Sequence, residues 1–247
     1  MKAGVFDSGI GGLTVMKSLM EHKLFEEIVY YGDTARVPYG SKDKNTIIRY
    51  GLEAVEFFKN FDIDLLIVAC NSVSAFALEE MQEVADYPVI GVVEAGVLAT
   101  VNKIASKEGR VLVLGTKATI ASKAYEKGLE RLGYSNIVSL ATPLFVPLVE
   151  EGIFEGEVLK TIMRHYFKDV ATPDAIILGC THFPLIADSI GNYFANKALL
   201  VHSGEAIVAQ LQMRLKLSRR YDRTKVHFFA SDNPAFLKSV AARWLAE

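Results

Sequence analysis

Cys70 in "VACNS" and Cys180 in "LGCTHFPL" are the only two thiols in this 247-residue chain. Each closes an apolar run. The first is followed by Asn71 and Ser72, the second by Thr181 and His182. They are too few and too far apart for a redox Cys-x-x-Cys pair or a four-cysteine zinc site, and in a reducing compartment they stay thiols. A thiolate takes a proton as a base and a thiol gives one as an acid, provided a helix N-terminus or charged neighbour lowers the pKa from ~8.5. Two such groups on opposite sides of a carbon can strip a proton from one face and return one to the other. For a single cysteine the plain alternative is strong, because free cysteine usually behaves as a small buried hydrophobe. A matched pair favours chemistry. His182 and Cys180 could instead be metal ligands, but zinc takes three or four, and no H-x-H or H-E-x-x-H spacing supplies the rest. His22, His165, His202 and His227 lie in unrelated segments and read as surface or structural. No metal is expected.

The elements that would position these groups alternate along the chain. Strand candidates are "AGVFD" (3–7), "EIVYYGD" (27–33), "LLIVAC" (65–70), "PVIGVVE" (88–94), "RVLVLGT" (110–116), "IVSLAT" (137–142), "AIILGC" (175–180) and "VHFFA" (226–230). Helical patterns such as 43–59, 74–85 and 118–132 fall between them. Such alternation predicts an α/β protein with mainly parallel sheets. The chain also repeats itself coarsely: "VFDSG" (5–9) and "VLGTKAT" (113–119) are both strands ending in small polar residues before a helix. Cys70 follows Ser8 by 62 positions and Cys180 follows Thr116 by 64. Two similar α/β units related by pseudo-symmetry are expected, their strand carboxyl ends meeting at a cleft, since ligands sit at such ends in open parallel sheets. The boundary is expected near 94–96, giving 1–94 plus 207–247 as the first unit and 95–206 as the second. The final strand and helix (226–245) would return to the first unit, with "ASDNP" supplying a cap and a proline start.

"FDSGIGGLT" (6–14) partly fits a dinucleotide fingerprint, with Asp33 near the place of a ribose-binding acid. Thr14 replaces the third glycine, and Asp7 would put negative charge where a pyrophosphate approaches. The glycines are better read as a tight strand-to-helix turn that leaves Asp7 and Ser8 exposed. "GDTARVPYGSK" (32–42) is turn-rich and reads either as a plain surface loop or, because it follows a strand end, as one that could cover the same cleft. The net charge of −2 disfavours a generic nucleic-acid binder. The basic tract at 214–225 reads as a solvated helix end, without the interleaved aromatics of a single-strand reader. No apolar run approaches the ~18 residues of a membrane span. "AGVFD" leaves no room for a secretion signal, so a cytoplasmic location is expected.

"VFDSGIGGLTV", "YYGDTARVPYGSK", "VACNS", "VLGTKATI", "FVPLVEEG" and "LGCTHFPL" closely resemble, in order, the motifs of bacterial glutamate racemases, and "FFASDNPAFLKSVAARWL" matches their tail. The resemblance implies two α/β domains with the site between them, and a homodimer. It implies cofactor-independent interconversion of L- and D-glutamate, supplying D-glutamate for peptidoglycan. Cys70 and Cys180 match the two catalytic thiols, the first taking the proton from D-glutamate and the second from L-glutamate. Asp7 and His182 match residues that assist them, and Glu150 a further auxiliary acid. Substrate contacts would come from Asp7, Ser8, Tyr39, Gly40, Asn71, Ser72, Thr116, Thr119 and Thr181. That set contains no arginine, so carboxylates would be held by hydroxyls, amides and backbone N–H groups. The chain departs from the family pattern at Ser72 (usually threonine), Val73 (usually alanine) and Ala95 (usually proline), the last near the expected hinge. Rival readings are a racemase of the same superfamily acting on aspartate or another small acid, and a small-ligand-binding relative that has lost the chemistry.

Overall fold

The structure, a computed structural model, describes residues 1–104, 106–215 and 221–246. Its strands are β1 (Lys2–Asp7), β2 (Glu27–Gly32), β3 (Leu65–Val68), β4 (Val89–Gly91), β5 (Val111–Gly115), β6 (Ile137–Ala141), β7 (Ala175–Gly179), β8 (Leu199–His202) and β9 (Lys225–Ala230). The helices α1 (Leu13–Glu21), α2 (Lys44–Phe58), α3 (Asn71–Phe76), α4 (Leu78–Val84), α5 (Val92–Lys103) and α6 (Lys117–Ser122) occupy the first half. They are followed by α7 (Ala124–Arg131), α8 (Phe145–Glu150), α9 (Glu157–Phe167), α10 (Ala187–Tyr193), α11 (Ser203–Leu215) and α12 (Pro234–Trp244).

The strands form two sheets, ordered β4-β3-β1-β2-β9 and β6-β5-β7-β8, with every pairing parallel. Helices on both faces bury the central strands completely, so β3, β5 and β7 read as unbroken apolar runs rather than alternating ones. Read from the other edge, the second sheet runs β8-β7-β5-β6, the same winding as β4-β3-β1-β2. The coarse repeat in the sequence is therefore a repeat of topology. The chain passes from the first sheet to the second through α5 and returns through α11, and these two helices pack against each other.

Several expectations need correction. The run at 88–94 is strand only over Val89–Gly91, and Val92 already opens α5, so Glu94, Ala95 and Gly96 lie within a helix and form no turn. The helical pattern at 74–85 breaks at Ala77, and that at 118–132 breaks at Lys123, whose φ of 56° is left-handed. β8 was not anticipated. α12 starts as expected, with Asn233 Oδ1 accepting from Phe236 N at 3.1 Å and Pro234 in the first turn. Of the basic tract at 214–225, residues 216–220 lie outside the described residues. No helix among the described residues is long and apolar enough to cross a membrane.

Candidate active site

β1 and β3 are neighbours in the first sheet although the chain visits β2 between them, and β5 and β7 stand in the same relation in the second. At such a switch point the crossovers leave in opposite directions and open a crevice at the strand carboxyl ends. Ser8 and Cys70 follow β1 and β3, Thr116 and Cys180 follow β5 and β7, and all four line one cavity. The question raised by two distant thiols is answered here by topology: both stand at equivalent switch points.

Cys70 is the N-cap residue of α3, with Asn71 as its first helical residue. Its thiol donates to Ser8 Oγ at 3.5 Å. Burial, reinforced by the nearby Asp7 charge, pushes the Cys70 pKa up to about 12 against the opposing pull of the Ser8 hydroxyl and the Val73 N–H. The expected help from the helix N-terminus is present, but burial outweighs it. Cys70 holds its proton at neutral pH. Asp7, expected to be exposed, is fully buried. The loop after β7 closes over it: Thr181 Oγ1 donates to Asp7 Oδ1 at 3.4 Å, and Gly9 N donates to Oδ2 at 3.0 Å. Burial raises the Asp7 pKa, partly offset by the His182 charge and by the Gly12, Gly9 and Thr181 donors. A Cβ on Gly11 would stand 2.3 Å from Thr181 Oγ1 and 2.6 Å from the His182 ring. The glycine run thus admits the opposing loop of the second unit, and a buried carboxylate occupies the place a pyrophosphate would need.

On the other side, Cys180 Sγ lies 3.7 Å from His182 Nδ1, and His182 Nε2 lies 3.2 Å from Glu150 Oε1 at the end of α8. Burial alone would favour neutral imidazole. Hydrogen bonds to Cys180 and Glu150, and their charges, outweigh it and raise the His182 pKa to about 10. His182 is an imidazolium at neutral pH, so a thiolate formed at Cys180 meets a cation. Thr14 Oγ1 donates to the Thr181 carbonyl at 2.8 Å and fixes this loop against α1.

The walls between the thiols are hydroxyl-rich. Ser72 Oγ lies 3.0 Å from Thr116 Oγ1 and 3.2 Å from Thr119 Oγ1, which are 3.1 Å apart. Thr116 also caps α6, accepting from Thr119 N at 3.2 Å. Tyr39 and Gly40 reach the cavity from the short 3-10 turn Tyr39–Ser41, so the 32–42 loop does cover the cleft. The Tyr39 hydroxyl donates to Asp33, which also receives Arg36 Nε at 2.5 Å and Ser231 Oγ at 2.7 Å. Asp33 is fully buried and anchors this loop, leaving no role on a ribose.

Of the residues singled out from sequence, Asn71, Thr181, His182 and Glu150 join Ser8, Tyr39, Gly40, Cys70, Ser72, Thr116 and Cys180 in lining the cavity. Asp7 and Thr119 stand one hydrogen bond behind the wall. Among the described residues no lysine or arginine lines it. Among the described residues no group of three or more His, Cys, Asp and Glu side chains could hold a metal ion. Sequence reasoning missed Val37, Pro38 and Val146 in the wall, and Tyr125 and Ser203 behind Asn71. Recognising β8 would have pointed to Ser203, which follows its carboxyl end. Nothing in the sequence distinguishes Tyr125 from an ordinary buried helix residue.

The profile of the Asp/Glu/Hydantoin racemase family matches residues 16–211. The chain is 62% identical, over 100% of its length and 97% of the relative's, to a glutamate racemase from a Nitratiruptor species. It superposes on a crystal structure of glutamate racemase from Campylobacter jejuni subsp. jejuni with a TM-score of 0.98 at 55% identity, covering 100% of this chain and 98% of that one. A glutamate racemase from Francisella tularensis subsp. tularensis, solved in complex with D-glutamate, matches with a TM-score of 0.86 at 34% identity, covering 100% of this chain and 94% of that one.

Proposed function

The chain belongs to the Asp/Glu/Hydantoin racemase family, and from that premise we propose that it interconverts L- and D-glutamate through two opposed thiols, without a cofactor. One observation carries the reading: two buried thiols from equivalent strand ends line a single cavity, each with its own proton partner. One thiolate removes the α-proton, the other thiol protonates the opposite face, and the next turnover in the same direction requires the two protons to be redistributed. The α-proton of an amino acid is very weakly acidic, so fixed donors must stabilise the charge that develops as it leaves. The hydroxyls of Ser8, Ser72, Thr116 and Thr181, the Asn71 amide and the Tyr39–Gly40 backbone supply such donors around the substrate carboxylates, with Thr119 bonded behind Ser72 and Thr116.

The unlike settings of the thiols assign their resting roles. Cys70, buried beside Asp7, rests as the acid. When the substrate ammonium group approaches Asp7, the charge that holds the Cys70 proton is partly neutralised, so the thiol can release that proton to solvent, and the resulting thiolate is the base toward D-glutamate. Cys180, with His182 and Glu150 behind it, takes the proton from L-glutamate. The chain divides into 1–94 plus 207–247 and 95–206, a division supported by the membership of the two sheets. The reading extends to a cytoplasmic homodimer that supplies D-glutamate for peptidoglycan.

The experiment is racemisation in deuterium oxide. Wild type should introduce solvent deuterium at Cα in both directions, and Cys70→Ala and Cys180→Ala should each abolish racemisation. One-way proton abstraction from a single enantiomer can survive in either variant. Near wild-type racemisation by either variant defeats the two-thiol assignment, and faster turnover of aspartate than of glutamate defeats the substrate assignment.

A further inference from the structure

Asn71 sits beside Cys70 and lines the cavity, but its amide is held from the second unit. Tyr125 of α7 is buried, and its hydroxyl donates to Asn71 Oδ1 at 2.6 Å. Asn71 Nδ2 donates to Ser203 Oγ at 3.4 Å, and Ser203 donates in turn to the Leu178 carbonyl at 3.5 Å. This chain of bonds has a fixed direction. Ser203 also bonds the Tyr125 hydroxyl, so its single proton goes to that oxygen or to the Leu178 carbonyl, and either way Ser203 accepts from Asn71. The amide nitrogen must face Ser203 and the amide oxygen must face Tyr125. With the amide turned this way, the donor that Asn71 has left to offer is its second N–H. A flipped amide would offer an acceptor instead, which repels a carboxylate.

The ring of Tyr125 is itself closely held. A Cβ on Gly96 of α5 would stand 3.0 Å from Tyr125 Cε1, and one on Gly179, which precedes Cys180, would stand 3.2 Å from Cε2. The phenol is thereby wedged between the helix that links the two sheets and the strand end that carries the second thiol.

We propose that Tyr125, with Ser203, is a positioning residue that locks the Asn71 amide with its N–H toward the cavity, making Asn71 a carboxylate donor for substrate. The proposal rests on the racemase reading above and adds to it a group from the second unit that sets the binding chemistry of the first.

The test is a double-mutant cycle of Tyr125→Phe and Asn71→Ala, with initial rates in both directions and Kd for D-glutamate by calorimetry where rates are slow. Losing an oriented donor to a charged group should raise KM for both enantiomers by about tenfold with kcat changed less than about threefold. In the Asn71→Ala background, Tyr125→Phe should add less than about twofold, because its effect runs through the amide. Ser203→Ala is the second arm and should show the same KM-only rise and the same silence. Equal KM penalties in both backgrounds, or a fall in kcat with KM unchanged, overturn the proposal. So does an unchanged KM in both single variants. Wild-type glutamate turnover is measured first: its absence overturns the racemase reading and this proposal with it, whereas a normal wild type with an additive cycle overturns this proposal alone.

Discussion

The two thiols look alike in sequence, and their surroundings make them chemically unlike. A buried carboxyl group, Asp7, stands near Cys70, and an imidazole held toward its charged form, His182, stands near Cys180. The residue types were legible before the fold was known, including Asp7, His182 and Glu150 through the family resemblance. Their burial was not, and burial raises Asp7 and the Cys70 thiol, while the partners that packing brings to His182 raise its pKa against burial. A pH prediction follows from His182. Its folded-state pKa, about 10, lies above its ordinary 6.5, so its contribution to stability is complete below about pH 6.5 and is lost as pH climbs through about 10. Glu150→Gln removes a charge that holds the imidazolium, although Glu150 is partly exposed and solvent screens the pair. In urea unfolding, the stability gap between wild type and Glu150→Gln should be widest near pH 6.5 and should shrink toward pH 10. A gap that does not change with pH would count against a charged His182.

At the scale of elements, Thr116 joins fold and site in one side chain. It caps α6 and contributes a hydroxyl to the cavity wall. Thr116→Val keeps the shape and removes both, so it should lose about 1 kcal/mol of stability, as an N-cap loss does, and raise KM for glutamate. Thr116→Ser should restore both. A Val variant that is destabilised with an unchanged KM would confine Thr116 to capping. The strands that end at the site were readable because fully buried parallel strands are short apolar runs with small polar residues at their ends. Errors came where the same signal fits two states. Val92 and Val93 continue the apolar run of β4 but form the first turn of α5, since periodicity alone does not separate a buried strand from a buried helix segment. β8 escaped because "LLVH" is four residues long and only partly buried.

At the scale of the whole molecule, the cavity between the units measures about 30 Å³, room for about two water molecules. An acidic amino acid can enter only if the walls part. α5 and α11, the two chain crossings, are tied by Glu94, which accepts from Gln210 Nε2 at 3.1 Å and from Arg214. The expected hinge at 94–96 is helical and lies in this packed pair, so parting the units is expected to flex α5 against α11. Saturating D-glutamate should slow amide hydrogen exchange in 37–40, 71–73 and 180–182, where loops from both units meet. Exchange unchanged in all three segments would show that substrate binds without drawing the units together. The sequence by itself determined the α/β class, the coarse repeat, the two thiols and the family, because apolar periodicity, strand-end chemistry and motif order are local properties of the chain. Only the tertiary structure decided that Asp7 is buried, that Asp33 serves a loop, that the glycine run admits an opposing loop and that Tyr125 reaches Asn71. Each of these depends on which distant surface excludes water from a given group, and desolvation and contact across two units are set by packing that no local pattern encodes.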